Sequence, residues 1–174
     1  MKEYTFETER LYMRPTSIED ASFVLELLNT PKWLLYIGDR KVRTEEDAIN
    51  YIKVKMLPQF EAKQFGNYTV IRKEDHHKIG CCGLYDRESL EGIDVGFAFL
   101  PSYERKGYGY ESTSKLMEYG KEAHGITHVN GITVKENVGS QRLLEKLGLK
   151  YIKTITLPDD LQPLLFYSNA INHA

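Results

Sequence analysis

The chain has 174 residues, 23 basic and 25 acidic side chains, a formal charge of −2, and 41% hydrophobic content. That length suits a single domain, 1–174, with one core, and the balanced charge argues against a dedicated nucleic-acid binder, which needs a basic footprint. Met1 to Arg14 mix charged and apolar residues, so no signal segment is expected there, and apolar runs fall far short of the roughly 20 residues a spanning helix needs. Only Cys81 and Cys82 are present. Neighbours on a strand point to opposite faces, so an ordinary disulfide between them is not expected. The expectation is a soluble, reduced, cytoplasmic protein without a membrane partner.

Residues 4–14 read as a first strand. Ser17 and Asp20 have the spacing of a capping box, opening a helix to about Asn29. Pro31 then starts a loop that carries Trp33, Tyr36 and Ile37. Thr44 and Asp47 open a second helix with Ala48, Ile49, Ile52 and Met56 on one face, and Pro58 should kink or end it. Strand-like stretches follow at 67–72, 78–85 and 93–100. In the last, Ile93, Val95, Phe97 and Phe99 alternate with Asp94, Gly96, Ala98 and Leu100, giving one bulky face and one small face with a carboxylate. A helix over 109–123 pairs Glu111 with Lys115. A strand over 128–134, a helix over 139–147 and strands at 149–157 and 164–169 complete the chain. Gly148 suits the left-handed residue that stops the short helix.

The segment Glu104-Arg105-Lys106-Gly107-Tyr108-Gly109 lies between a strand and a helix. Its glycines allow close backbone approach, and the free first-turn amides with two adjacent bases suit a pyrophosphate. A glycine-containing turn with solvated bases is the competing reading. No Gly-Lys-Ser/Thr is present for a Walker loop. Ser112 stands where a dinucleotide fingerprint needs its third glycine. His76 and His77, like His124 and His128, lack convincing metal-ligand placement, so no metal is expected.

The Arg105–Gly109 loop resembles the acetyl-CoA loop of the GNAT superfamily of N-acetyltransferases. Asn137-Val138-Gly139-Ser140 with Glu145-Lys146-Leu147-Gly148-Leu149 is similar to the signature of the branch containing ribosomal-protein (alanine/serine) N-terminal acetyltransferases, as is the opening Thr8-Glu9-Arg10-Leu11-Tyr12-Met13-Arg14-Pro15. The resemblance implies an α+β GNAT (acyl-CoA N-acyltransferase) fold, with a mixed, mostly antiparallel seven-stranded sheet flanked by helices. The strands at 93–100 and 128–134 would be its splayed parallel pair. It implies acetyl-CoA contacts from the main chain of Phe97, Ala98 and Phe99, from Arg105, Lys106, Gly107, Tyr108 and Gly109, and from the Asn137 side chain. Arg142 fits either the cofactor phosphates or a solvated helix face. Trp33 and Tyr36 would wall the acceptor pocket, or simply pack.

Two positions depart from the family pattern. Glu104 replaces the usual Gln or Arg, so its carboxylate must turn away from the phosphates. Leu144 stands where many members carry a Tyr that protonates the leaving thiolate, making Ser140 the substitute candidate; a helix N-cap is its other reading. Asp94 matches the family's Glu and is the candidate general base, acting through a water; a carboxylate satisfied by backbone or a cation is the alternative. A lysine-like amine costs roughly 4.6 kcal/mol to deprotonate at pH 7, an α-amine only about 1 kcal/mol. The expected activity is acetyl transfer to a primary amine by direct attack, with a protein N-terminal α-amine as acceptor. A small polyamine or amino-sugar, or a non-catalytic acyl-CoA-binding module, are the alternatives. The chain would act as a monomer or homodimer.

Overall fold

The structure, a computed structural model, describes residues 5–158 and 160–170. Eight strands form one sheet in the order β1-β2-β3-β4-β5-β6-β8-β7. They are β1 (Phe6–Glu7), β2 (Leu11–Pro15), β3 (Asn67–Arg72), β4 (Lys78–Asp86), β5 (Ile93–Phe99), β6 (Asn130–Thr133), β7 (Lys150–Leu157) and β8 (Asp160–Ser168). Among the described strands only β5 and β6 run parallel. They are joined by α5 (Tyr108–His124), as the strand–helix–strand reading required.

The eighth strand corrects the seven expected. The stretch read as one strand over 4–14 doubles back on itself, with Phe6 opposite Met13; residue 4 lies outside the described residues. Thr8 closes the turn, its N–H donating to Leu11 C=O at 2.9 Å while its Oγ1 accepts from Leu11 N–H at 3.2 Å.

Both capping boxes form. Ser17 and Asp20 start a 3-10 turn, Ile18–Asp20, that leads into α1 (Ala21–Leu28), and Thr44 and Asp47 start α3 (Glu45–Tyr51). Two local expectations come out differently, one wholly and one in part, for identifiable reasons. The expected loop after Pro31 is a helix, α2 (Pro31–Tyr36), because Thr30 caps it and a proline at the first helical position has no N–H to lose. Pro58 does not end its helix either. A π turn over Ile52–Met56 precedes α4 (Leu57–Lys63), which has Pro58 in its first turn. The widened turn takes up the clash the ring would make with the carbonyl four residues back.

Each face of the sheet buries its own cluster. On one, Met13, Val70, Cys82, Leu84 and Val95 pack with Leu116 of α5 and with Leu144 of α6 (Val138–Lys146). On the other, Cys81 and Leu100 pack with Val24, Leu27 and Leu28 of α1 and Ala48 and Ile52 above them. The alternation read in 93–100 therefore holds: Val95, Phe97 and Phe99 face α5, and Ala98 faces the α1–α3 side. The two cysteines face opposite ways, buried and free. Burial raises both thiols, Cys81 to about 12, which makes them inert core residues.

Candidate active site

The parallel pair holds together at one point. Asp94 opposite Asn130 is its whole register, after which β5 and β6 diverge into a V. Along the other edge of β5, pairing with β4 is unbroken from Ile93 to Phe99. Leu100 N–H donates to Ile79 C=O at 2.9 Å, which sets the phase of the antiparallel ladder. Asp94, Gly96 and Ala98 spend their main-chain groups on β4. Val95, Phe97 and Phe99 therefore turn theirs into the V. Ala98, expected to contribute main chain there, instead pairs with Cys81.

At the mouth of the V lies the loop read from the glycines. Gly107 is the N-cap of α5 at φ 83°, a left-handed conformation that favours glycine, and no side chain caps the helix. Arg105 is also left-handed, at φ 59°. The first hydrogen bond of the helix runs from Glu111 N–H to Gly107 C=O at 3.0 Å. The amides of Tyr108, Gly109 and Tyr110 thus have no intrahelical partner, and they sit at the positive end of the helix dipole. This cradle fits a diphosphate.

The loop is held from outside by long-range contacts that no local spacing reveals. Arg10 donates from Nε to Glu111 Oε1 at 2.9 Å and from Nη1 to Lys106 C=O at 3.1 Å, and its guanidinium lies 4.3 Å from the Tyr108 ring centre. Thr8 Oγ1 donates to Glu111 Oε2 at 2.7 Å. Glu111 does not make the expected pair with Lys115, whose partner is Glu118. Glu104, whose carboxylate was expected to turn away from the phosphates, is neutralised in an ion pair with Lys32 of α2. Because a non-glycine residue in the left-handed region costs of order 1–3 kcal/mol, the Arg10 brace maintains a strained turn. Arg10→Ala is expected to raise the acetyl-CoA Kd about tenfold, measured by calorimetry, with the turnover number at saturation unchanged.

At the vertex, Asp94 is 1% exposed. Arg87, from the β4–β5 turn, donates through Nε to both of its oxygens, at 2.9 and 3.1 Å. Burial pushes the Asp94 carboxyl above the ordinary range, with Arg87 opposing the shift. The cation that the sequence left open as an alternative partner is thus present. Beside them the Tyr85 ring lies flat across Gly83 and Gly96, where an added Cβ would come within 2.5 and 2.7 Å of it. Its hydroxyl donates to Asn67 Oδ1 at 2.5 Å.

Across the V, Asn137 caps α6, its Oδ1 accepting from Ser140 N–H at 3.2 Å. The N-cap is Asn137 and not Ser140, whose hydroxyl makes no hydrogen bond to a described residue. Leu144 is 2% exposed and packs against Gly131 of β6, so that position fills core. Trp33 joins the cluster on the Ala98 side of β5, Tyr36 is half-buried three residues on, and Arg142 is exposed. Among the described residues no group of three or more His, Cys, Asp or Glu side chains is placed to hold a metal ion, and no helix is long and apolar enough to cross a membrane.

A family model described as the acetyltransferase (GNAT) domain matches residues 10–150. The chain is 25% identical over 145 residues to an uncharacterized N-acetyltransferase, YoaA, of Bacillus subtilis (strain 168), covering 83% of this chain and 81% of that protein. A GNAT-family acetyltransferase structure from Bacillus anthracis superposes with TM-score 0.75 at 24% identity, covering 93% of this chain and 95% of the other. The ribosomal-protein-S5-alanine acetyltransferase of Vibrio fischeri gives 0.76 at 15% identity over 95% and 96% of the two chains. At those identities the structures speak to fold alone, while the family match spans most of the sequence. With the splayed strands and the loop at their mouth, these findings show that the chain belongs to the GNAT acetyltransferase family and is an acetyl-CoA-dependent N-acetyltransferase.

Proposed function

We propose that the acceptor is a protein N-terminal α-amine, acetylated by direct attack on the thioester with no acyl-enzyme. The observation that carries this is the V at Asp94 and Asn130 with the amide cradle at its mouth. From Phe99 to Asp94 the strand spans five residues, about 17 Å at 3.3 Å each, a length an extended pantetheine arm covers. Arg105 to Gly109 would grip the pyrophosphate. The main chains of Phe97 and Phe99 would pair with the arm from one side and Asn137 Nδ2 from the other, so that the thioester arrives beside Asp94.

Each remaining role follows from position. A main-chain N–H of β5 turned into the V would stabilise the developing oxyanion. Asp94, whose carboxyl burial raises, would take the amine proton through a water. Ser140 would donate to the departing thiolate. Trp33 and Tyr36 of α2 would line the acceptor side. An α-amine suits so enclosed a base, since its deprotonation at pH 7 costs only about 1 kcal/mol. The name of the Vibrio fischeri protein, a ribosomal-protein alanine acetyltransferase, agrees with this acceptor class.

Acetyl-CoA at 100 times its Kd should stabilise the protein by about 2.7 kcal/mol, a rise in Tm of roughly 5 to 11 °C at this size. ATP and NADH should give no shift. Mass spectrometry of peptides with free Ala or Ser N-termini, spermidine and an aminoglycoside then tests the acceptor. Acetylation of the peptides at the α-amine supports the proposal, and exclusive acetylation of spermidine or the aminoglycoside refutes it.

A further inference from the structure

Arg87 is poorly explained as a partner for Asp94 alone. It reaches the buried carboxylate through Nε only, and Nη1 and Nη2 make no hydrogen bond to any described residue. Its side chain is 42% exposed, and its guanidinium carbon sits 5.2 Å from the Tyr85 ring centre. An arginine pinned at Nε by a carboxylate and packed on an aromatic ring has lost much of its freedom, yet it presents two unused N–H₂ groups to solvent. That is a preorganised fork for a carbonyl or carboxylate oxygen. Its location matters as much as its geometry. Asp94 marks the vertex where the strands part, which is where the reading above, on which this inference rests, brings the thioester and the attacking nitrogen.

We infer that Arg87 is an acceptor-binding, specificity-determining residue, whose free Nη groups hold the oxygen adjoining the reacting amine. The acceptor is then an α-amino acyl compound, with its nitrogen and its carbonyl oxygen separated by two carbons. Asp94 and Arg87 are in direct contact, so a nitrogen that hands its proton to Asp94 through a water has its adjoining oxygen on the side of the free Nη groups. Alkyl amines and polyamines have no oxygen to offer at that place. A peptide N-terminus and a free amino acid share the feature, the first through its amide carbonyl and the second through its carboxylate. The carboxylate just before Arg87 in sequence, Asp86, is already paired with Lys63.

The test compares Arg87→Lys and Arg87→Met with the wild type on three acceptors: a peptide with a free N-terminal alanine, alanine itself, and ethylamine. Taking the variant-to-wild-type ratio of kcat/KM for each acceptor cancels differences in amine pKa. Arg87→Lys retains a cation for Asp94 and loses the planar fork, so it separates recognition from support of the carboxylate. The expected result is a loss of about tenfold to a hundredfold for the peptide or alanine, seen chiefly in KM. With Arg87→Lys the loss on ethylamine should be far smaller than on the peptide or alanine, whereas Arg87→Met, which also takes the cation from Asp94, should slow all three acceptors; the acetyl-CoA Kd should be unaltered. Which of peptide and alanine the wild type turns over faster identifies the source of the oxygen. Equal losses on all three acceptors with Arg87→Lys, or no loss on any, overturn the inference while acetyl transfer by the wild type stands. A wild type that transfers acetyl to none of them refutes the proposed function instead, and the inference goes with it.

Discussion

Replacing Asp94 by asparagine should lower kcat/KM for an α-amine acceptor by about a hundredfold or more, within the range ordinarily supplied by a positioned base. Acetyl-CoA affinity should stay within a factor of about two, because the diphosphate cradle is main chain and lies at the far end of β5. The asparagine oxygen can still accept from Arg87 Nε, so the fold should survive. Burial raises the Asp94 carboxyl above the ordinary carboxylate range, and it works as a base only when ionised. The wild-type rate should therefore fall on the acid side through a limb set by this group, above where an exposed aspartate would place it. Asp94→Asn should abolish that limb. If the variant keeps both the limb and the rate, the proton leaves by another route and Asp94 serves only to seat Arg87.

What could be read from the amino-acid sequence was whatever is decided within a few residues. Ser17 with Asp20 and Thr44 with Asp47 form their capping boxes because donor and acceptor lie three residues apart. Gly148 adopts φ 94° where a helix must stop. The alternation from Ile93 to Phe99 sorts onto two faces because strand geometry leaves no other choice. The glycine loop was legible for the same reason. The brace that holds it was not, because Arg10 and Glu111 are 101 positions apart and Lys32 and Glu104 are 72 apart. Helical spacing pointed Glu111 toward Lys115, a surface pairing worth a few tenths of a kcal/mol; an arginine and a threonine from the first hairpin outcompete it. Arg87 was closer to reach. It stands seven residues before Asp94 across a β4–β5 turn, and a cross-strand reading of that hairpin would have paired them. Of the two outcomes open at Pro58, a kink or an end, the helical segment does not end, because the π turn before it takes up the ring.

The largest stability effect should come from Asp20, whose local spacing showed half of a capping box. Its carboxylate is fully buried and accepts from five donors: Arg14 Nη1 at 2.8 Å and Nη2 at 2.7 Å, Lys78 Nζ at 2.8 Å, Thr69 Oγ1 at 3.0 Å and Ser17 N–H at 3.0 Å. From Thr69 the hydrogen bonds run on through Thr16 at 2.9 Å and Asn67 at 2.8 Å to the Tyr85 hydroxyl under the candidate acceptor site. Each hydroxyl in that chain takes its direction from the acid at its end, because Thr69 spends its only proton on Asp20. An asparagine there has an N–H₂ group facing donors alone, and it removes the buried anion that Arg14 and Lys78 share. Removing one partner of a buried pair typically costs 3–5 kcal/mol. Arg14 and Lys78 retain some access to water, so about 3 kcal/mol is expected for Asp20→Asn, a fall in Tm of roughly 6 to 12 °C. Asp39→Asn, which breaks an exposed, solvent-screened pair with Arg43, should leave Tm nearly unchanged. The difference between wild type and Asp20→Asn should also depend on pH. The hydrogen bonds from Arg14 and Lys78 outweigh burial and hold the Asp20 carboxyl at about 2, below its unfolded value near ~4. Its contribution is therefore complete above about pH 5 and shrinks as pH falls toward 2, by about 2 kcal/mol in all. Urea melts of both proteins at pH 7 and pH 3 measure this directly. A gap that stays constant between those pH values would mean that Asp20 stabilises the fold by shape and neutral hydrogen bonding, and not by its charge.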